Sequence, residues 1–145
     1  MNRTGTPKLL LVEDDREHAQ ALVKILGDAG YQVTTAADGH VALVILMEQA
    51  FDLVITDLKM PRKSGLDLLR EIRAMNPDIP AVVITAYGEW TTYLQAMNIG
   101  AVDYLTKPVR RHDILLTIQK GLARRGIRSP GISSSGTEGE SGTST

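Results

Sequence analysis

The sequence predicts an α/β protein with a doubly wound, five-stranded parallel sheet covered by helices on both faces. Three observations carry this. Short apolar runs alternate with amphipathic stretches five times between Pro7 and Arg125, the pattern of successive β–α units with right-handed crossovers. The runs LLLV, LVI and AVVI are apolar at every position, as central strands buried on both faces require. Gly, Pro, Asn and Asp gather at the junctions between runs, where turns and caps form.

Taken in order, KLLLVEDD is the first strand, ending in acids. Leu22, Ile25, Leu26 and Ala29 follow at helical spacing, with Gly27 and Gly30 marking the end. YQVTTA is the second strand and the most polar, which places it at an edge. Asp38 caps a helix over about 39–49. That helix, with VALVILM, is apolar nearly all round; core burial is the favoured account, and an outward row at Leu43 and Leu46 forming a contact surface is the alternative. FDLVITD is the third strand. After Met60-Pro61, Ser64 opens a helix carrying Leu68, Leu69, Ile72 and Met75, ended by Asn76-Pro77. PAVVITA is the fourth strand. The next helix starts near Glu89, bears Trp90 and Tyr93, and stops at Gly100. Packing within the helix is the plain account of the two rings; an aromatic contact surface is the functional one. VDYLT is the fifth strand, and Ile114, Leu115, Ile118 and Leu122 line the last helix. Arg110, Arg111, Lys120, Arg124, Arg125 and Arg128 crowd this last segment and read as a solvated face.

The chain of 145 residues fits one domain. Residues 1–6 read as a flexible N-terminus and 7–126 as the folded unit. Residues 127–145, rich in Ser, Gly and Thr, read as disordered: a linker, a natural tail or a cloning remnant. A formal net charge of -1 gives no electrostatic footprint for nucleic acid or membrane. The absence of cysteine excludes disulfides and thiolate chemistry. No apolar run is long enough to span a bilayer and the N-terminus has no signal-peptide core, so the expected location is cytoplasmic.

In an open parallel sheet, chemistry gathers beyond the carboxyl ends of the strands, where strand order reverses. Strand 1 ends in Glu13-Asp14-Asp15, strand 3 in Asp57, strand 4 in Thr85 and strand 5 in Thr106-Lys107-Pro108. Singly, each has an ordinary reading: a helix cap, a strand threonine, a solvated lysine. Jointly, carboxylates so close must protonate, separate or bind a cation, and hard oxygen donors suit Mg²⁺. His18, His40 and His112 fall in helical stretches and are expected on surfaces outside this crevice.

The ordered set LLLVEDD, DLVITDLKMP followed by SG, AVVITAYG and AMNIGAVDYLTKP resembles the receiver domain of bacterial two-component response regulators, over about residues 7–125. The resemblance implies the CheY-like, flavodoxin-like strand order 2-1-3-4-5. It implies that Asp57 accepts a phosphoryl group from the phosphohistidine of a sensor histidine kinase or a histidine phosphotransfer protein, with Mg²⁺ (or Mn²⁺) as cofactor. Asp15 would ligate the metal directly, Asp14 largely through water, and Lys59 through its backbone carbonyl, with Asp57 completing the set. Lys107 would pair with the phosphate and be joined to Pro108 by a cis peptide. Thr85 and Tyr104 would be the switch, moving the face made by the fourth helix, fifth strand and fifth helix. Lys59 and Tyr87 would tune phosphate lifetime.

The implied protein is a signalling domain rather than an enzyme, catalysing only its own phosphorylation and dephosphorylation. It would control an output domain or partner, bind no nucleic acid directly, and have a phosphorylation-dependent homodimer among its options. AMNIGAVDYLTKP is most similar to receivers attached to activators of the alternative sigma factor or to hybrid kinases. A haloacid-dehalogenase-type phosphatase is disfavoured because Asp57-Leu58-Lys59 lacks the second acid of a DxDxT arrangement. A flavodoxin-like nucleotide binder is disfavoured because acids stand where its phosphate loop belongs. An adaptor that keeps the fold without the reaction is the third rival.

Overall fold

The computed structural model describes residues 5–86 and 88–130. Five strands alternate with five helices: β1 (Lys8–Val12), α1 (Arg16–Asp28), β2 (Gln32–Ala36), α2 (Gly39–Glu48), β3 (Leu53–Thr56), α3 (Gly65–Met75), β4 (Ala81–Thr85), α4 (Trp90–Ile99), β5 (Asp103–Thr106) and α5 (Arg111–Ala123). All strand pairs are parallel, in the order β2-β1-β3-β4-β5. The polar β2 lies at an edge, as its composition predicts. No described helix is long and apolar enough to cross a membrane.

Side chains alternate across the strands and divide the core into two layers. Leu9, Leu11, Leu53, Ile55, Val82 and Ile84 face α1 and α5, packing on Leu22, Leu26, Ile114, Ile118 and Leu122. Leu10, Val12 and Val54 face Ala42, Leu68 and Ile72. Ala81 and Val83 pack with Leu69 and Ala96. Each central strand is thus sealed on both sides, which fixes the positions of the residues at its tip.

Three helices start on side-chain caps, which satisfy amides the helix leaves open. Asp15 accepts from the His18 amide, Asp38 from Val41 and Ser64 from Asp67. The α4 start has no side-chain cap, whereas its end is closed by Gly100 at φ 101°. That end is also pinned from α3. Arg73 donates to the carbonyls of Ile79, Asn76 and Pro77 and to those of Ile99 and Gly100.

Two features of the packing add to the sequence reading. On α2 the exposed row is Val41, Val44 and Met47, while Leu43 and Leu46 pack on the core. An almost wholly apolar helix carries no polar face to fix its rotation in advance. At the other end of the chain, packing continues beyond the boundary expected at 126. Ile127 lies against the α1–α5 layer, Ser129 is buried, and Pro130 sits against Gly30. Tyr31 shares a hydrogen bond with Ser129, and burial raises its phenol above the usual tyrosine range. The expectations for residues 1–4, for 131–145 and for Tyr87 lie outside the described residues.

Candidate functional site

The chain passes from β1 to the outer strand β2 and then returns to β3 on the opposite side of β1, so a crevice opens at the carboxyl ends of β1 and β3. β3 delivers Asp57 there. Its amide donates to the Val12 carbonyl at 3.1 Å, which ties the tip of β3 to β1. Thr56 is fully buried and Asp57 is 7% exposed. Gly65 closes in behind, with its amide 2.9 Å from the Leu58 carbonyl. A Cβ at position 65 would lie 2.1 Å from the Asp57 carbonyl oxygen, so no larger residue fits under this loop.

Lys107 enters from the far side of the sheet. Its amide bonds the Thr85 carbonyl at 2.8 Å, and the peptide to Pro108 is cis. Its ammonium lies 2.8 Å from Asp57 Oδ2 and 2.7 Å from Glu13 Oε1. Burial works to lower the Lys107 pKa, but the hydrogen bonds and charges of Asp57 and Glu13 together outweigh it and hold the pKa above the ordinary lysine value. The other oxygen of Asp57 accepts from the Lys59 amide at 3.2 Å.

Oxygens of Glu13, Asp14 and Asp57 lie within 4.8 Å of one another. A single lysine cannot neutralise three carboxylates, so this donor set fits a hard divalent cation such as Mg²⁺. The expected ligand Asp15 is not among them. The backbone turns at Asp15, whose carboxylate points to the start of α1 and caps it; the hydrogen bond from the His18 amide holds its carboxyl below the usual carboxylate range. Glu13 takes the place expected of Asp15. Its Oε2 accepts from the Asp15 amide at 3.0 Å and its Oε1 from Lys107.

Thr85, fully buried, ends β4 beside this group. Tyr104, on β5, is half-buried, and its hydroxyl lies 2.7 Å from Thr92 Oγ1 at the start of α4. Its ring meets Tyr93 edge-on at 5.6 Å, and Tyr93 stacks on Trp90 at 5.4 Å. Trp90 is 71% exposed. So the two α4 rings do pack on each other, yet the outer one still faces solvent. His18 departs from expectation: its Nδ1 lies 3.2 Å from the Lys107 ammonium, at the border of the crevice. His40 and His112 are exposed, as expected.

Sequence reasoning placed Glu13 at the crevice without giving it a role of its own, and it set His18 outside the crevice. The alternation of β1 carried one signal for Glu13, which continues the odd-numbered face of Leu9 and Leu11. The cap carried the signal for His18, since a helix opened by Asp15 at the crevice must place its first turn there.

The family model for the response regulator receiver domain matches residues 9–119. The transcriptional regulatory protein ZraR of Escherichia coli is 41% identical over 115 residues, covering 79% of this chain and 26% of that protein. The transcriptional regulatory protein DltR of Streptococcus agalactiae is 34% identical over 112 residues, covering 77% of this chain and 50% of that one. This chain therefore spans between a quarter and a half of the length of these relatives. Among solved structures, a response regulator receiver domain protein from Clostridium thermocellum superposes with a TM-score of 0.79 at 34% identity, covering 83% of this chain and 97% of that one. The chemotaxis protein CheY4 of Vibrio cholerae gives 0.77 at 31%, covering 81% and 100%. With the strand order, the acidic crevice and its lysine already in place, these likenesses show that the chain belongs to the response regulator receiver domain family of two-component signalling.

Proposed function

We propose that Asp57 is the phosphoacceptor of a two-component relay. The observation that carries this reading is the placement of Asp57: a buried carboxylate at a strand tip, 2.8 Å from the Lys107 ammonium and grouped with Glu13 and Asp14. An Asp57 oxygen attacks the phosphorus of a kinase phosphohistidine. The P–N bond breaks, a P–O bond forms, and the leaving imidazole nitrogen takes a proton from solvent. Such transfer depends on alignment and charge neutralisation more than on covalent assistance. Lys107 supplies one fixed positive charge. Glu13, Asp14 and Asp57, with the Lys59 carbonyl, would hold Mg²⁺, which supplies further neutralisation of the phosphoryl oxygens when bound.

The added phosphoryl group carries about -1.5 to -2 charges. Thr85 and Lys107 are the groups placed to follow that charge. The route outward is through Tyr104, whose hydroxyl touches Thr92 and whose ring touches Tyr93. The readout is a change at α4, β5 and α5 that controls an output domain or partner. ZraR and DltR are transcriptional regulators, and an output of that kind fits this chain. Hydrolysis of the aspartyl phosphate resets the domain, and Lys59, whose amide donates to Asp57, is the described residue proposed to tune that step.

The experiment is phosphorylation by labelled acetyl phosphate with and without Mg²⁺. Label confined to Asp57, lost in Asp57→Asn and lost on chelation, is the expected result. Label at the wild-type rate in the variant would overturn the assignment.

A further inference from the structure

Lys107 sits where three elements meet, and each offers it one acceptor. Asp57 Oδ2 approaches from the end of β3 at 2.8 Å, Glu13 Oε1 from the end of β1 at 2.7 Å, and His18 Nδ1 from the first turn of α1 at 3.2 Å. A lysine ammonium has three N–H donors and no acceptor, so these contacts use all of them. Two anchor points leave a group on a flexible stem free to swing about the line joining them. A third anchor off that line sets a point. We propose that His18 is a positioning residue for the phosphoacceptor site: its neutral imidazole takes the third N–H of Lys107 and fixes the aim of the ammonium at Asp57. This rests on the reading of Asp57 as phosphoacceptor and adds a role for a side chain on α1.

The contact specifies a tautomer. Nδ1 accepts only when bare, so the ring proton is on Nε2. A protonated ring has no acceptor and sets a second positive charge against Lys107. It has another partner within reach, the Asp15 carboxylate, 3.7 Å from the same nitrogen. The charged groups around His18 are Asp15 on its own helix and Lys107 from the loop after β5, with Glu13 and Asp57 behind the lysine. From β4 and the loop beyond it come the apolar Ile84 and Ala86, and from the β5–α5 loop Pro108 and Val109.

The test is labelling by acetyl phosphate with saturating Mg²⁺ at pH about 8, in wild type, His18→Leu, His18→Ala, His18→Asn and Asp57→Asn. The side chain of His18 is 53% exposed, so the variants keep the fold, checked by circular dichroism. His18→Leu and His18→Ala are expected to label about threefold to tenfold more slowly at pH about 8, the scale of one hydrogen bond. His18→Asn, whose Oδ1 replaces Nδ1 as the acceptor, should restore the rate. If wild type labels at Asp57 while His18→Leu matches it, or if His18→Asn is as slow as His18→Leu, the positioning role is overturned and the phosphoacceptor stands. If wild type does not label at Asp57, the underlying reading fails instead.

Discussion

Lys107 and Asp57, 50 positions apart in the chain, meet at 2.8 Å between ammonium and carboxylate, and Glu13 shares the same ammonium at 2.7 Å. One cation thus restrains acids from two adjacent strands. Lys107→Met keeps the stem and removes the charge, leaving Glu13, Asp14 and Asp57 to repel one another. Loss of one partner from a buried ion pair costs about 3 kcal/mol. Urea unfolding without divalent cations should show that loss, and Mg²⁺ should recover most of it. A midpoint unchanged by both the substitution and Mg²⁺ would contradict the electrostatic account of the crevice.

The same pair predicts a titration. Lys107 is raised above its ordinary value of 10.5 because Asp57 and Glu13 outweigh burial. Its contribution to stability is therefore complete below the unfolded-state value and is lost as pH rises through the higher folded-state value. In Asp57→Asn one hydrogen bond partner loses its charge, so the Lys107 pKa should fall. NMR of the ¹⁵Nζ-labelled lysine measures both values; a higher pKa in the variant would reverse the assignment of causes.

Gly65 is expected to be the least replaceable residue of the β3–α3 loop. An alanine Cβ would meet the Asp57 carbonyl oxygen at 2.1 Å and the Leu58 Cα at 2.8 Å, both backbone atoms that cannot rotate away. Gly65→Ala should lose about 2 to 3 kcal/mol in chemical denaturation. It should also weaken beryllofluoride binding, because the displaced atoms carry Asp57. Wild-type stability in this variant would mean the loop is softer than its contacts imply.

Trp90, Tyr93 and Tyr104 form a chain of ring contacts from solvent to β5. Beryllofluoride, as a phosphoryl mimic at Asp57, should change Trp90 emission. Tyr93→Ala removes the middle ring and should suppress the change while leaving beryllofluoride affinity near wild type. An unaltered spectrum at saturating ligand in wild type would separate α4 from the site.

Truncation after Gly126 tests the boundary at the end of α5. It removes Ile127 from the α1–α5 layer and Ser129 from Tyr31. The expected loss is about 1 to 2 kcal/mol, from partial burial of one isoleucine and one hydrogen bond. The Tyr31 phenol, raised by burial, should move back toward its ordinary value in an ultraviolet pH titration. Identical curves for both chains would place the boundary at 126 after all.

Much of this was legible in the sequence for physical reasons. Leu9 to Val12, Leu53 to Ile55 and Ala81 to Ile84 read as central strands because burial on both faces leaves no place for polar residues. Asp57 stood out because it ends such a run, and Lys107 because it follows the last strand just before a proline. The site's finer chemistry was less legible. Glu13-Asp14-Asp15 is a run of three acids, and which of them face the crevice depends on the residue at which strand gives way to helix cap. His18 is exposed as expected, but its place at the border of the crevice was not legible because helical periodicity does not say where the first turn of α1 sits relative to Lys107. The outward row of α2 was not legible because Val41, Val44 and Met47 differ too little in polarity from Leu43 and Leu46.

The bracing of α4 by Arg73 has a mechanical consequence. Five carbonyls, two of them at the close of α4, are gathered by one guanidinium, while the opening of that helix rests on Thr92, Tyr104 and a tryptophan in water. The ten-residue rod, about 15 Å long, is anchored at one tip and loose at the other. If phosphorylation pushes on α4 from the crevice, the rod would swing as a lever about Gly100, with the greatest travel at Trp90.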